Sequence, residues 1–390
     1  MTVIKYPETI LLCMLLKTPD VKFTPQMLTN INWTFFYKLI IRHRLWHRLC
    51  NTLETQLNAD ITPDIQLFLS SLKQYCRHDT LRLMVLCTES LRLSAAFSTH
   101  HLQHAFIKGI TLNDYLYGNL NTRPCKDIDL LVHPESYDEA AQLLLASGYK
   151  QQEPLYSLEG LKKKYHFKHR HDVAFYHPQK KILVELHFKL EYPGINFFSF
   201  QDIPLKQLPM GNKSITTLDD DYHLLFLMLH GAIHGWNRLR WLEDIYLFIQ
   251  LKQGDLARLR QLAMQLQCVH VVEQALLLVT TFFQCESLNL ERHLKNTSAQ
   301  GKSLAAIAQT FITSDYEQID GLKKPSLFFL YRYYRIKLAP KYKKSTMLFA
   351  DIFKIYNLFP DFTFSDRFFW LYYLAYPWWI IKYIITGFRK

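Results

Sequence analysis

The chain has 390 residues, of which 49% are hydrophobic, so it is long enough for two or three domains with substantial cores. Its seven cysteines are scattered, odd in number and without CxxC spacing, which argues against a disulfide framework or a zinc–thiolate site and favours the cytoplasm. The net charge of +12 favours polyanionic partners such as RNA, nucleoside triphosphates or an anionic membrane face.

The N-terminal region, residues 1–100, is predicted to be helical. Its first residues contain a short apolar stretch that ends in Lys17 but no small-residue cleavage site, so we predict no signal peptide. Apolar residues at helical spacing predict one helix over residues 32–53. A second helical region is predicted over residues 64–97, with a break near His78.

The middle region, residues 101–205, has the pattern of a small mixed α/β unit. A helix is predicted from Pro134, in the first helical position, to a left-handed cap at Gly148. Strands are predicted over residues 105–108 and 127–132, of which the second is buried, with a helical turn over residues 111–118 between them. Residues 172–176 and 182–188 are predicted to pair as a hairpin.

The C-terminal region, residues 206–390, is predicted to return to helix. Three aspartates, residues 219–221, open a long helix, and a second one starts near Leu239 and ends before Gly254. We therefore predict an α+β fold, in which a mixed-sheet core (101–205) is flanked by two helical regions (1–100 and 206–390).

Paired carboxylates on the predicted strands carry the chemistry. Asp127 and Asp129 alternate along one strand, so both side chains point to the same face. Burying two like charges side by side is costly without a cation between them, and a divalent metal is the obvious candidate. The segment KILVELHF puts Glu185 and His187 on one face of another strand, with an apolar opposite face. Glu185 is therefore the best third carboxylate, and the alternative for all of these residues is a solvated strand face.

A Lys-Gly step lies upstream of the paired aspartates. Gly109 lets the backbone approach a phosphate closely, and the helix after it would aim free N–H groups at the ligand. Lys108 can reach a triphosphate oxygen as a point charge. Arg123 and Lys126 lie just ahead of Asp127, where they are candidates to contact the triphosphate or the acceptor.

Two histidines in the C-terminal region, His230 and His234, share a helix face at a spacing of four residues. No glutamate follows His230 and no third ligand is evident, which excludes an HExxH zinc site. One interpretation is a packed helix face with hydrogen-bonded histidines. The favoured one has both histidines, with Trp236 and Arg238, lining a nucleotide or acceptor cleft, because Trp and Arg suit base stacking and phosphate contact.

Three further segments are rich in aromatic residues. Residues 161–171 and 331–344 mix them with cations, a composition that can bind single-stranded nucleic acid but is more often a solvated face. Residues 368–381 carry no charge but are too few to span a bilayer, and Pro377 should divide them into two helical pieces. We predict that this tail packs on the earlier C-terminal helices and that the protein does not associate with membranes.

The run of KG, a tyrosine-rich helix, Arg, DIDLLV and a helix ending in GY resembles the polymerase-β-type nucleotidyltransferase superfamily. It is most similar to an uncharacterised bacterial branch related to the abortive-infection toxin nucleotidyltransferases, which carry Lys-Gly where polymerase-type members have Gly-Ser. The similarity continues through VELHF to LHGAIHGWNRLRWLEDI, roughly residues 30–250. It implies that Asp127 and Asp129 are the metal pair and Glu185 the third carboxylate.

This resemblance implies an enzyme that depends on Mg²⁺ or Mn²⁺. Two metal ions would assist transfer of a nucleoside monophosphate from a triphosphate such as ATP to an acceptor hydroxyl. The charge favours RNA, such as a tRNA end, as the acceptor, while a protein side chain or a small molecule stays open. The alternative is a non-catalytic module of the same fold that binds RNA, protein or a membrane surface.

Overall fold

The computed structural model describes residues 6–17, 23–28, 30–57, 62–120, 122–192, 195–283, 285, 288, 290–314, 325–340 and 354–387. The N-terminal helices are α1 (Pro7–Lys17), α2 (Pro25–Leu28), α3 (Trp33–His43), α4 (Trp46–Gln56) and α5 (Pro63–Thr99). The middle elements are β1 (His104–Phe106), α6 (Thr111–Tyr117), β2 (Asp127–Val132), α7 (Tyr137–Ala146), β3 (Lys150–Glu153), α8 (Gly160–His169), β4 (Asp172–His177), β5 (Ile182–His187), β6 (Glu191–Tyr192), β7 (Ile195–Asn196), β8 (Leu205–Met210) and β9 (Lys213–Leu218). The remaining helices are α9 (Asp220–Ile233), α10 (Leu239–Leu251), α11 (Ala257–Gln265), α12 (Val269–Phe282), α13 (Glu291–Leu294), α14 (Ala299–Thr313), α15 (Pro325–Leu338) and α16 (Leu371–Gly387).

The sheet has five strands in the order β1-β2-β5-β4-β3, and only the β2–β5 pair is parallel. In that pair Asp129 lies opposite Glu185, and Leu131 lies opposite His187. The parallel register therefore puts the acidic residues of both strands on one face. The other face is apolar and packs on α5 and α7, in a cluster that includes Leu130, Val184, Leu93 and Leu144. The predicted α+β fold is confirmed.

The N-terminal helices differ from the prediction in two places. The helix predicted over residues 32–53 is two helices, because Arg44 adopts a left-handed conformation (φ 56°) and its N–H caps the carbonyls of Ile40 and Ile41. The break predicted near His78 is absent, and α5 runs without interruption over Pro63–Thr99. Asp79, next to the predicted break, is buried within the helical packing, where it pairs with Arg82 and accepts from the indole N–H of Trp46.

A hairpin precedes the C-terminal helices where the sequence suggested helix alone. Strands β8 and β9 pair in antiparallel fashion over Leu205–Met210 and Lys213–Leu218, around a turn in which Gly211 has φ +62°. The pattern PMGN is short, and its strands are only half apolar, so the hairpin carries a weak periodic signal. The next two predictions are confirmed: α9 begins within the aspartate run, and α10 begins at Leu239 and ends before Gly254.

The two helical regions share one apolar core. Leu12 and Phe36 from the N-terminal region belong to the same buried cluster as Phe248 and Leu276 from the C-terminal region. The long helix α5 joins this core at its first half and the sheet core at its second half. The helix α5 thereby connects the helical core to the sheet core.

The aromatic tail forms a small cluster of its own. Tyr372 and Tyr376 of α16 are buried against Phe359 and Tyr156, so the tail packs on residues 355–359 and α8 rather than on the earlier C-terminal helices. Pro377 lies inside one helix instead of dividing two. The outward residues Trp370, Leu374, Trp378 and Ile381 are exposed. Residues 341–344 and 388–390, part of the predictions for these segments, lie outside the described residues.

No helix within the described ranges is long and apolar enough to cross a membrane. All seven cysteines are free thiols, as their spacing predicted.

Candidate active site

Three side chains converge on the polar face of the sheet. His187 Nε2 lies 3.2 Å from Asp129 Oδ1 and 3.6 Å from Glu185 Oε2. One potential ligand atom from each of the three residues lies within 4.8 Å of the others. Asp127, the first residue of β2, is half-buried on the same face, two residues before Asp129. Strand alternation and the parallel register are sufficient to bring these groups together.

The Lys-Gly step lies directly against this group. Lys108 Nζ is 2.7 Å from Asp129 Oδ1, and both side chains are largely buried. Gly109 has φ +70°, and a Cβ there would lie 3.3 Å from the backbone oxygen of Asp127. Glycine is needed here because an L side chain would be strained at this φ and crowded against β2. The helix after it, α6, has only seven residues.

Burial and the neighbouring charges separate the protonation of the two carboxyl groups. Burial opposes ionisation of Asp129, but Lys108 and His187 outweigh it and hold the pKa of Asp129 below its usual range. Burial, reinforced by the charge of Asp129, raises the pKa of Glu185. The environment therefore moves the pKa values of the two carboxyl groups in opposite directions, a pattern that acid–base sites share.

His187 carries a positive charge in this arrangement. Burial lowers its pKa, but hydrogen bonds to Asp129 and Glu185 outweigh that effect and raise the pKa of His187 to about 9. The ring stacks on His171 with centroids 5.5 Å apart. Burial lowers the pKa of His171 to about 3, so a neutral imidazole packs against the charged one.

The pKa of His187 predicts how stability depends on pH in the metal-free protein. Because its folded pKa of about 9 exceeds the unfolded value of 6.5, its contribution is complete below pH 6.5 and is lost as pH rises through 9. We expect His187→Gln to cost a few kcal/mol at pH 6 and clearly less at pH 9.5, measured by urea unfolding in EDTA. An equal loss at both pH values would contradict the charged state of His187.

The donor set fits a divalent ion. Asp129 and Glu185 offer the carboxylate oxygens that Mg²⁺ and Mn²⁺ prefer. His187 would add a nitrogen only after giving up the proton that it carries in the metal-free protein. The Lys108 ammonium already contacts Asp129 Oδ1, so this face of the sheet accommodates a positive charge next to that carboxylate. Among the described residues these three form the one His/Cys/Asp/Glu group compact enough to hold a metal, and the His230–His234 pair belongs to none.

Arg123 supports the site from behind instead of lying open to it. Its guanidinium is buried and makes two bonds to Asp244, 2.8 and 2.9 Å long, and a third of 2.8 Å to the carbonyl oxygen of Gly109. Asn113 brackets its backbone, accepting from the Arg123 N–H and donating to its carbonyl. With every terminal nitrogen directed into the protein, Arg123 ties α10 to the Lys-Gly turn. Lys126, in contrast, is exposed beside Asp127.

The ends of α9 and α10 form a wall near the acidic face. The rings of His230 and His234 lie 5.4 and 5.3 Å from the ring of Trp241, and the Arg238 guanidinium lies 5.2 Å from the same ring. Burial and then the charge of Lys108 lower the pKa of both histidines. The His234 side chain is nevertheless partly open to solvent, and the effect of Lys108 on its pKa places it near the acidic face.

Trp236 is not part of that wall. Its indole is fully buried, and a Cβ added to Gly231 would overlap it, so Trp236 holds the turn after α9 in the core. The base-stacking interpretation of Trp236 therefore disagrees with its packing. Trp236 and the preceding glycine both have positive φ, which turns the side chain inward, against the direction that the sequence pattern suggested.

The structure also brings in residues that the sequence did not single out. Asp244 anchors Arg123, His171 stacks on His187, and Arg44 of the α3–α4 corner lies near Asp127 and Arg238, both of which affect its pKa. Arg44 is separated from Asp127 by 83 positions in the chain (127 minus 44), and no local pattern connects the two.

The chain matches a protein-family model and is similar to a solved structure. A family model described as "Uncharacterised nucleotidyltransferase" matches residues 29–284, which include the sheet, the wall and Arg44. Among solved structures, the chain is similar to an antigenic nucleotidyltransferase-like protein from Paracoccidioides brasiliensis, with 17% identity, a TM-score of 0.31, and coverage of 52% of this chain and 96% of that one. No curated protein matches.

Proposed function

We propose that this chain, which belongs to the family of uncharacterised nucleotidyltransferases, transfers a nucleoside monophosphate from a nucleoside triphosphate to an acceptor hydroxyl. The observation that carries the proposal is the pairing of Asp129 with Glu185 across the parallel strands, beside Lys108. The closer relation to the abortive-infection toxin branch, implied by the Lys-Gly step, is part of the same proposal.

In the proposed reaction an acceptor oxygen attacks the α-phosphorus. A bond forms between that oxygen and phosphorus, the bond to the bridging oxygen breaks, and pyrophosphate leaves. Asp127, Asp129 and Glu185 would hold Mg²⁺ or Mn²⁺. The bound ions would supply electrostatic stabilisation of the charge that develops on the phosphate oxygens.

The protein's own groups divide the remaining work. Glu185 is the proposed acceptor of the hydroxyl proton, because its raised pKa suits a group that takes up and releases a proton. The Lys108 ammonium, now 2.7 Å from Asp129, would turn to a phosphate oxygen once a metal balances that carboxylate. His187, bonded to Asp129, would orient it, and Arg123 would hold the Gly109 carbonyl in place. Lys126, His234 and Arg238 remain proposed nucleotide contacts.

We propose RNA, such as a tRNA end, as the acceptor, on the basis of the net charge of +12. A protein side chain and a small molecule are the competing acceptors. A different class of function is a binding module that keeps the fold without turnover. No specific observation favours that class, since both carboxylates and the lysine are present at the site.

Labelled nucleotides test the proposal. Purified protein is incubated with cell extract, Mg²⁺ or Mn²⁺, and a triphosphate labelled on either the α- or the γ-phosphate. We expect the α-label to appear in an acceptor and the γ-label to leave as pyrophosphate. Incorporation of the γ-label would indicate phosphoryl transfer and contradict the proposal. Nuclease and protease digestion then identify the acceptor, and label that survives nuclease but not protease would exclude RNA under those conditions.

A further inference from the structure

Four segments that are distant in sequence come close to Asp127. The N–H of Leu239, at the start of α10, donates to His43 Nδ1 at the end of α3, with a distance of 3.2 Å. Arg82 Nη2 of α5 donates to the carbonyl oxygen of Cys125, 2.7 Å away, just before β2. The residues that directly adjoin these contacts in sequence are Arg44, Lys126, Arg238 and Arg240. They also act on one another electrostatically, since, in addition to burial, Arg44 and Arg238 lower the pKa of Lys126 and Arg44 lowers that of Arg240. We call these four residues the arginine cluster.

The charges of this cluster are not balanced by the acidic groups around it. Asp79 pairs with Arg82 at 2.6 Å, and Asp244 is taken by Arg123 at 2.8 Å. Arg240 reaches Asp244 only at 3.5 Å, and its buried Nε has no hydrogen-bond partner among the described residues. Within the same described ranges, Arg44, Lys126 and Arg238 form no ion pair. Asp127 is the remaining carboxylate close to them, so the cluster has a surplus of positive charge.

That surplus is costly in the protein alone. Burial and the charge of Arg238 lower the pKa of Arg44 to about 10, while Asp127 opposes the shift. Burial and the charge of Arg240 lower the pKa of Arg238 to about 10. Guanidinium groups stay charged at neutral pH even so, and half-buried like charges repel. An anionic ligand would remove the repulsion that remains because one carboxylate, Asp127, faces Arg44, Lys126 and Arg238.

We infer that the arginine cluster is a phosphate-binding site that takes the triphosphate tail of the nucleotide, an assignment that rests on the proposed function. Arg44 would bring the N-terminal helical region into nucleotide binding. A triphosphate concentrates several negative charges within a few ångströms, as the cluster does with positive ones. A phosphodiester chain carries one charge per nucleotide and matches a half-buried cluster less well. One guanidinium group can also donate two parallel hydrogen bonds to the oxygens of a single phosphate.

The site can be tested without turnover and without metal. Tripolyphosphate is titrated calorimetrically into the full chain in EDTA, and into Arg44→Gln and Arg238→Gln. We expect each substitution to weaken binding about tenfold or more, since charge-assisted hydrogen bonds to phosphate are lost. Lys213→Gln, which changes an exposed cation on β9, is the matched control and should stay within about twofold. Equal affinity of Arg44→Gln, Arg238→Gln and wild type would overturn the inference.

The melting temperature gives a second, independent reading. Without ligand, Arg44→Gln should melt at the wild-type temperature or above it, because a repulsive charge is removed. With tripolyphosphate, the wild type should gain stability and the variant should not. A variant that melts well below the wild type without ligand would show that Arg44 supports the fold, and would contradict the unbalanced charge on which the inference stands.

Three ligands distinguish the sources of the phosphate. Arg44→Gln should weaken the binding of ATP more than the binding of AMP, because the cluster is assigned to the tail beyond the α-phosphate. If Arg44→Gln weakened the binding of a single-stranded RNA and left ATP binding unchanged, the cluster would belong to the acceptor site. That result would overturn the assignment. Asp129→Asn separates the two proposals, since it should keep metal-free tripolyphosphate binding while losing transfer. If tripolyphosphate binding depended on Arg44 but the wild-type protein transferred no nucleotide, the phosphate-binding site would be supported and the proposed reaction would be refuted.

Discussion

Asp129→Asn should lower nucleotidyl transfer by a factor on the order of 10²–10³ or more, because it removes a carboxylate on which both the metal and the charge of Lys108 depend. Asparagine is close to aspartate in size, so the change is chiefly one of charge. The measurement is the single-turnover rate of transfer of α-labelled triphosphate into the acceptor fraction, at saturating Mg²⁺ or Mn²⁺.

Folding needs a control in this experiment, since Asp129→Asn leaves Lys108 and His187 buried without their shared carboxylate. Glu185→Gln removes the second carboxylate from a side chain that is 28% exposed, and it creates no unpaired lysine. We expect it to lose transfer to a similar extent while melting near the wild-type temperature. Asp138→Asn, at an exposed ion pair with Lys163, should retain full activity. Wild-type rates in both Asp129→Asn and Glu185→Gln would refute the metal-carboxylate assignment.

Asp244→Asn should cost about 3–5 kcal/mol of unfolding free energy, because it leaves the buried guanidinium of Arg123 without its counter-charge. Asp244 is completely buried, and it also accepts from the hydroxyl of Tyr117 over 2.8 Å. The same change should loosen the bond from Arg123 to the Gly109 carbonyl and so raise the KM for the triphosphate. The measurements are the midpoint of urea unfolding and the steady-state kinetics of any folded fraction.

Two comparisons make this result interpretable. Asp138→Asn breaks an exposed pair and should cost about 1 kcal/mol or less. The double variant Arg123→Met/Asp244→Leu removes both charges and should recover much of the loss, because an apolar pair of similar volume does not leave a buried ion. If Asp244→Asn unfolds at the same urea concentration as wild type, the Arg123–Asp244 pair does not hold α10 to the Lys-Gly turn.

Local patterns were sufficient for the acidic face of the sheet. Alternation along β2 and β5 is a property of the backbone, so placing Asp127 with Asp129, and Glu185 with His187, required only the strand assignments. The α+β fold class and the starts of α9 and α10 followed in the same way from composition shifts, aspartate runs and helical spacing. Each of these features is decided within about 20 residues of chain.

Features that depend on long-range packing were missed or misjudged. The continuity of α5 past His78 depends on Trp46 and Arg82 satisfying Asp79, and the break between α3 and α4 depends on one left-handed residue, Arg44. Trp236 has the composition of a stacking residue, yet two successive residues with positive φ turn it into the core. Outside glycine, a positive φ is found mainly at Asn, Asp and His, so an arginine and a tryptophan do not predict this conformation from their residue type.

What the sequence by itself determined was therefore the face that the candidate carboxylates share, since strand periodicity fixes it. The tertiary structure alone decided which charges are paired. It buried Arg123 against Asp244, 121 residues away, and it placed Arg44 and Arg238 near Asp127 without an ion pair to any described residue. The physical reason is that ion pairing depends on distances of a few ångströms between separate elements, and these distances are set when the helical regions close over the sheet.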